Sequence, residues 1–142
     1  MGERLDIHNY SLQLKSGIAR ITQSKIPKEV KKQILDYDNY LWVKESTSDS
    51  RRVTVMTRLK VVYEKYMPRK SWQKITEKDL EKAFYEMKTQ GSKPWTIASN
   101  GAVLKKFYKW IEHGNTKIHT PYPDKVLWMP TRISKKELED RK

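Results

Sequence analysis

Apolar residues recur along this chain with the period of amphipathic helices. Between Ile26 and Lys44, the positions Val30, Ile34, Tyr37 and Leu41 follow a 4-3-4 spacing, which lays one stripe along a helix. Pro27 suits its first turn, where a missing N–H costs nothing. Ser46, Thr47, Ser48 and Asp49 form a turn and N-cap cluster. A second helix follows on Val55, Leu59, Val62 and Tyr66, and stops near Pro68. Thr76 caps a third, with Glu77 and Asp79 in its first turn to suit the dipole. Its inner face is Leu80, Ala83, Phe84 and Met87, and Gly91 ends it.

A fourth helix starts near Thr96 and ends at Gly114. It carries two stripes, Ile97, Gly101, Leu104, Tyr108 and Ile111 on one side and Val103, Phe107 and Trp110 on another. Two stripes mean cover on two sides and a central place in the fold. From Thr120 to Met129, Pro121 and Pro123 precede Val126, Leu127 and Trp128, which fits a single helical turn packed by Trp128, with Pro130 just beyond. No run alternates as a strand does. The pattern predicts an all-α fold, a compact bundle of four main helices plus a short C-terminal helical turn. Its core is expected at Val30, Ile34, Leu59, Val62, Leu80, Phe84, Leu104, Phe107 and Ile111.

Residues 1–24 show no lasting periodicity and read as an N-terminal arm, loosely ordered, with Leu5, Ile7, Leu12 and Leu14 available to dock. Residues 25–130 read as the helical domain. Residues 131–142 are almost wholly polar and read as a linker.

Charge then narrows the choice of partner. The 142 residues hold 30 Lys and Arg against 17 Asp and Glu, a net charge of +13. Such an excess favours a polyanion, usually nucleic acid. A thermophile's surface is the alternative, but there Lys is usually balanced by Glu. Between Arg51 and Lys117 stand 16 basic residues against 6 acidic ones, so the excess belongs to the helical region and not to a tail.

The absence of cysteine excludes disulfides, cysteine zinc sites and thiol catalysis. His8, His113 and His119 are scattered and form no metal motif. There is no phosphate loop and no nucleophile elbow, so no catalytic residue, metal or cofactor is expected. Without a signal sequence or an apolar stretch long enough to span a bilayer, the expected location is cytoplasmic and nucleoid-associated, with no membrane partner.

Two basic faces are candidates for DNA. On the second helix they comprise Arg51, Arg52, Thr54 and Arg58, with Lys65 further along. On the fourth they comprise Lys93, Trp95, Thr96, Ser99, Asn100, Lys105, Lys106 and Lys109. Short hydroxyl and amide groups let a DNA backbone approach, helix N-termini favour phosphate, and Lys and Arg supply salt-sensitive attraction. Arg51 and Arg52 open their helix and are the candidates for reading a base edge. Trp95 has two readings, a staple that caps the core and a contact to DNA. Phe107, Tyr108 and Trp110 lie at apolar spacing and read as core.

Three segments carry a family resemblance. Ile75-Thr76-Glu77-Lys78-Asp79-Leu80 with Phe84, Met87 and Gly91 resembles the third helix of the core-binding, SAM-like domain of tyrosine recombinases and phage-type integrases. Thr96-Ile97-Ala98 and the run from Leu104 to Ile111 resemble its fourth helix. Tyr122-Pro123-Asp124-Lys125-Val126-Leu127-Trp128 is similar to the Pro-containing piece that follows in archaeal integrases.

The chain departs from the family where Arg51 and Val55 replace the usual Thr and Tyr. It departs again where Ser99 and Asn100 stand in place of an early basic residue. The family's catalytic Arg, Lys, His-x-x-Arg, His or Trp and Tyr set is missing, so the resemblance implies the non-catalytic part of a longer integrase, its linker leading toward an absent catalytic domain. It also implies a jaw of a clamp that presents the second and fourth helices to a core recombination half-site. The isolated domain is then a monomer and the parent a tetramer on double-stranded DNA. Two other readings remain open: a stand-alone DNA-binding accessory protein or regulator, and a helical module for an acidic protein.

Overall fold

The structure, a computed structural model, describes residues 10–132, and all regular structure among them is helical. Five α-helices occur: α1 (Tyr10–Gln23), α2 (Lys28–Glu45), α3 (Asp49–Tyr66), α4 (Glu77–Thr89) and α5 (Pro94–His113). Two short 3₁₀ turns, Trp72–Lys74 and Asp124–Val126, complete the set. Helices α2 to α5 occupy the four stretches that the apolar spacing marks. The expected turn near Val126 is also present, with the Trp128 ring edge-on to Phe84 at 5.3 Å.

The described residues form two compact units, divided after Lys60, and α3 contributes to both. In the first unit α1 packs on α2. Val30 and Ile34 are wholly buried, and Leu14 and Ile21 of α1 are buried as well. Lys31 Nζ donates to the Thr22 carbonyl at 2.8 Å. The helix α1 replaces the loosely ordered arm expected over its residues. Leu14, Ile18 and Ile21 do form a stripe, but a short one, and short helices take most of their stability from packing. Leu12 points to solvent, while Leu5 and Ile7 lie outside the described residues.

The first unit also contains a buried ion pair. Arg52 in α3 turns the Nε–Nη2 edge of its guanidinium to the Asp38 carboxylate of α2, with Nε to Oδ1 at 2.9 Å and Nη2 to Oδ2 at 2.6 Å. Both side chains are nearly inaccessible, at 7% and 6% exposure. Asp49 receives a third bond at 3.4 Å, and the Trp42 ring lies 5.1 Å from the guanidinium carbon.

The second unit is built on aromatic contacts. Trp72, fully buried, meets Tyr63, Phe107 and Tyr108 edge-on at 5.1, 4.9 and 6.1 Å. Such pairs add about 0.5–1.5 kcal/mol each beyond burial. Tyr108 Oη donates to the Trp72 carbonyl at 2.7 Å, and burial raises its pKa well above the usual phenol range. The expected core positions of this unit, Val62, Leu80, Phe84, Leu104 and Phe107, are buried, and Ile111 is half-buried.

Helix ends follow their local chemistry. Thr76 Oγ1 accepts from the Asp79 N–H at 3.2 Å, and Asp79 Oδ2 accepts from the Thr76 N–H at 3.1 Å, a complete capping box. Gly114 ends α5 at φ 75°, in the left-handed region where a side chain is disfavoured. Gly101, inside α5, has another role. A methyl group there would overlap the Pro130 carbonyl oxygen, so its bare Cα lets the segment after the last turn lie directly on the helix.

Candidate nucleic-acid interface

The first candidate surface is the outer side of α3. At 3.6 residues per turn, Arg51, Thr54, Arg58, Val61 and Lys65 fall along one flank. Arg51, Thr54, Val61 and Lys65 are exposed and Arg58 is half-buried. The Thr54 hydroxyl bonds back to the Ser50 carbonyl at 3.1 Å, keeping its methyl and oxygen close to the helix. The start of α3 is held by Ser48, whose hydroxyl accepts from the Arg51 N–H at 3.3 Å.

Arg52 does not belong to this surface. It stands three, four and seven residues before Val55, Met56 and Leu59, all buried, and its charge is satisfied by Asp38. The expectation that Arg52 reaches into a DNA groove is therefore corrected: it is part of the interior of its unit.

The second surface lies on α5. Trp95, Ser99, Ala102, Lys106 and His113 fall on one outward line, which contains no carboxylate. Trp95 is 42% exposed, so the core does not swallow its ring. Lys93 sits just before the helix with its ammonium 5.2 Å from that ring. Thr96 and Ser99 are half-buried, and Lys106 is exposed.

Two further α5 residues are corrected. Asn100 is buried and directs Nδ2 to the Met87 sulfur at 3.6 Å. Its position before Val103, Leu104 and Phe107 marks it as interior. Lys109 is only 4% exposed. Its Nζ donates to the Lys117 carbonyl at 2.9 Å and lies 4.2 Å from the Tyr122 ring. The loop after α5 folds back over it and engages its ammonium, away from the outward line.

Lys105 is intermediate, half-buried beside the same Tyr122 ring at 4.9 Å. The chain pattern gave no sign of this arrangement, nor of Lys125. Lys125 Nζ donates to the Ile75 carbonyl at 2.8 Å and lies 4.4 Å from the Tyr108 ring. Burial lowers its pKa, and Glu112 partly offsets that effect. Carbonyls and aromatic faces hold these lysines in place.

Among the described residues, no group of three or more His, Cys, Asp or Glu could hold a metal ion. Among the same residues no helix is long and apolar enough to cross a membrane. His8 lies outside them.

Comparison with curated proteins finds no match, and neither does comparison with solved structures. The family model for the phage integrase N-terminal SAM-like domain, by contrast, matches residues 34–115. The match runs from the middle of α2 through α5, and the Tyr122–Trp128 segment lies beyond it. This domain serves site-specific recombination and is the non-catalytic N-terminal part of phage integrases. Since the match covers more than half of the chain, the protein belongs to the family of phage integrase N-terminal SAM-like domains, the core-binding domains of tyrosine recombinases.

Proposed function

We propose that residues 25–130 grip duplex DNA at a core recombination half-site while strand cleavage is left to other parts of an integrase. The observation that carries this reading is the outward line of α5, which is free of carboxylates, carries Lys106 and is flanked by Lys93 and Lys105, in a chain of this family and of net charge +13. Lys93, Lys105 and Lys106 supply attraction to phosphates. Thr96 and Ser99 let the sugar–phosphate backbone come close, and Trp95 offers a flat apolar contact beside them. On α3, Arg51 and Arg58 flank Thr54 in the same manner. Most of the binding is to backbone, and Arg51 is the candidate for a base edge, because it opens its helix and has no buried partner.

Fluorescence anisotropy with a labelled duplex across a range of salt tests this. Affinity falls steeply with salt, with a log–log slope of about −0.9 for each phosphate neutralised. Lys106→Ala weakens binding to all sequences alike and reduces the slope by about one. Arg51→Ala costs about 1–3 kcal/mol at one base pair of the preferred site and little elsewhere. Salt-independent binding, or no duplex binding at all, rules the reading out.

A further inference from the structure

The loop after α5 carries an isoleucine whose position neither folding nor turn formation explains. Ile118 is 93% exposed, beyond every other exposed large apolar residue among the described ones. It sits in a turn closed by the Thr120 N–H donating to the Lys117 carbonyl at 3.1 Å. Corners of such turns favour Pro, Asp, Asn, Ser and Gly, and a β-branched apolar residue gains nothing there.

The loop is also held firmly. Asn115 Oδ1 accepts from the Lys117 N–H at 3.0 Å and from the Thr120 hydroxyl at 2.8 Å. The Lys117 carbonyl accepts a second bond from the buried Lys109 ammonium, which ties the turn to α5. The isoleucine is thus presented on a braced support, with Lys117 and His119 exposed on either side.

Its surroundings select one class of partner. From Pro94 to Pro123 the chain has four lysines and a single acidic residue, Glu112. An apolar tip framed by positive charge suits a groove walled by phosphates. Apolar residues that enter DNA grooves wedge between base steps and open them. We propose that Ile118 is such a wedge: it enters the duplex at a deformable base step, while Lys117 anchors the phosphates beside it. This rests on the DNA-gripping reading above and adds to it a site on the loop, outside the α3 and α5 faces.

The test uses a short duplex with a central TA step and the same duplex with a central mismatch, each carrying 2-aminopurine at that step. Opening costs least where pairing is already weak. The wild-type chain binds the mismatched duplex about tenfold more tightly and raises 2-aminopurine emission, because the wedge is buried alike in both duplexes and the mismatch spares part of the cost of opening. Ile118→Ser removes the preference and the emission change, keeps the salt slope and keeps the circular dichroism spectrum. Ile118→Leu retains both effects. Lys106→Ala does the reverse of the serine variant, lowering the slope and keeping the preference.

If Ile118→Ser binds both duplexes as the wild type does, the wedge is refuted while the gripping surface stands. A change in self-association with DNA affinity untouched makes Ile118 a protein contact and refutes it equally. Wild-type protein that binds neither duplex overturns the gripping reading itself, and the wedge with it.

Discussion

Replacing Arg52 by alanine separates an interior role from a DNA contact. The change would leave the Asp38 carboxylate buried at 6% exposure without the guanidinium that holds it at 2.6 and 2.9 Å. Removing one partner of a buried pair costs about 3–5 kcal/mol, mostly for the stranded charge. Loss of the Trp42 contact adds roughly 0.5–1 kcal/mol. Against a total stability of about 5–15 kcal/mol, this is a large share. At about 2–4 °C for each kcal/mol, the melting temperature falls by roughly 7–24 °C.

Arg52→Lys recovers only part, because an ammonium cannot match both carboxylate oxygens in the fork that the structure shows. Asp38→Leu combined with Arg52→Met removes both charges and lies closer to the wild type than either single change, since a buried pair replaced by apolar side chains is often neutral. Urea unfolding followed by far-ultraviolet circular dichroism, run as a double-mutant cycle, gives the coupling directly. If Arg52→Ala stays within about 0.5 kcal/mol of wild type and instead loses DNA affinity, the interior assignment is wrong.

Two further outcomes follow from helix ends and close approaches. Thr76→Ala removes half of the capping box and lowers stability by about 0.5–2 kcal/mol in the same unfolding assay. The pKa of Asp79 is lowered, first by the Thr76 N–H and then by Lys70, so its contribution is complete above the ordinary carboxylate range. It is lost as pH falls from there through the lowered value, and Asp79→Asn flattens stability against pH in that acid window. Gly101→Ala, which in an ordinary helix interior would stabilise, here costs about 1–3 kcal/mol because the methyl meets the Pro130 carbonyl. Hydrogen exchange at the Val126, Leu127 and Met129 amides, each bonded within the last turn, speeds up in this variant. Unchanged exchange would show that the segment does not rest on α5.

The sequence carried most of the secondary structure because α2 to α5 each have a sustained apolar stripe and a local stop signal. Thr76 and Gly114 are read correctly from chemistry within a few residues. The burial of Arg52 and Asn100 was also within reach: each precedes three buried residues at helical spacing, and the charge or amide drew attention away from the period. Lys109 is different. Its outward angle on α5 is right, and only the return of the Asn115–Tyr122 loop encloses it, a contact that no local pattern encodes. Helix α1 was hidden for the same reason, since its few apolar residues gain meaning only by packing on α2. The Trp72 cluster likewise joins residues from α3, α5 and a three-residue turn.

The most direct test of the account compares two pairs of lysines of equal charge. Lys105→Ala/Lys106→Ala removes cations from α5, whereas Lys31→Ala/Lys32→Ala removes them from α2, where Lys32 is already paired with Asp36 at 2.8 Å. Duplex affinity measured against salt should fall markedly, with a shallower slope, for the α5 pair and change little for the α2 pair. Equal losses from both pairs would mean that the basic charge acts diffusely, and the α5 surface would not be the one that meets DNA.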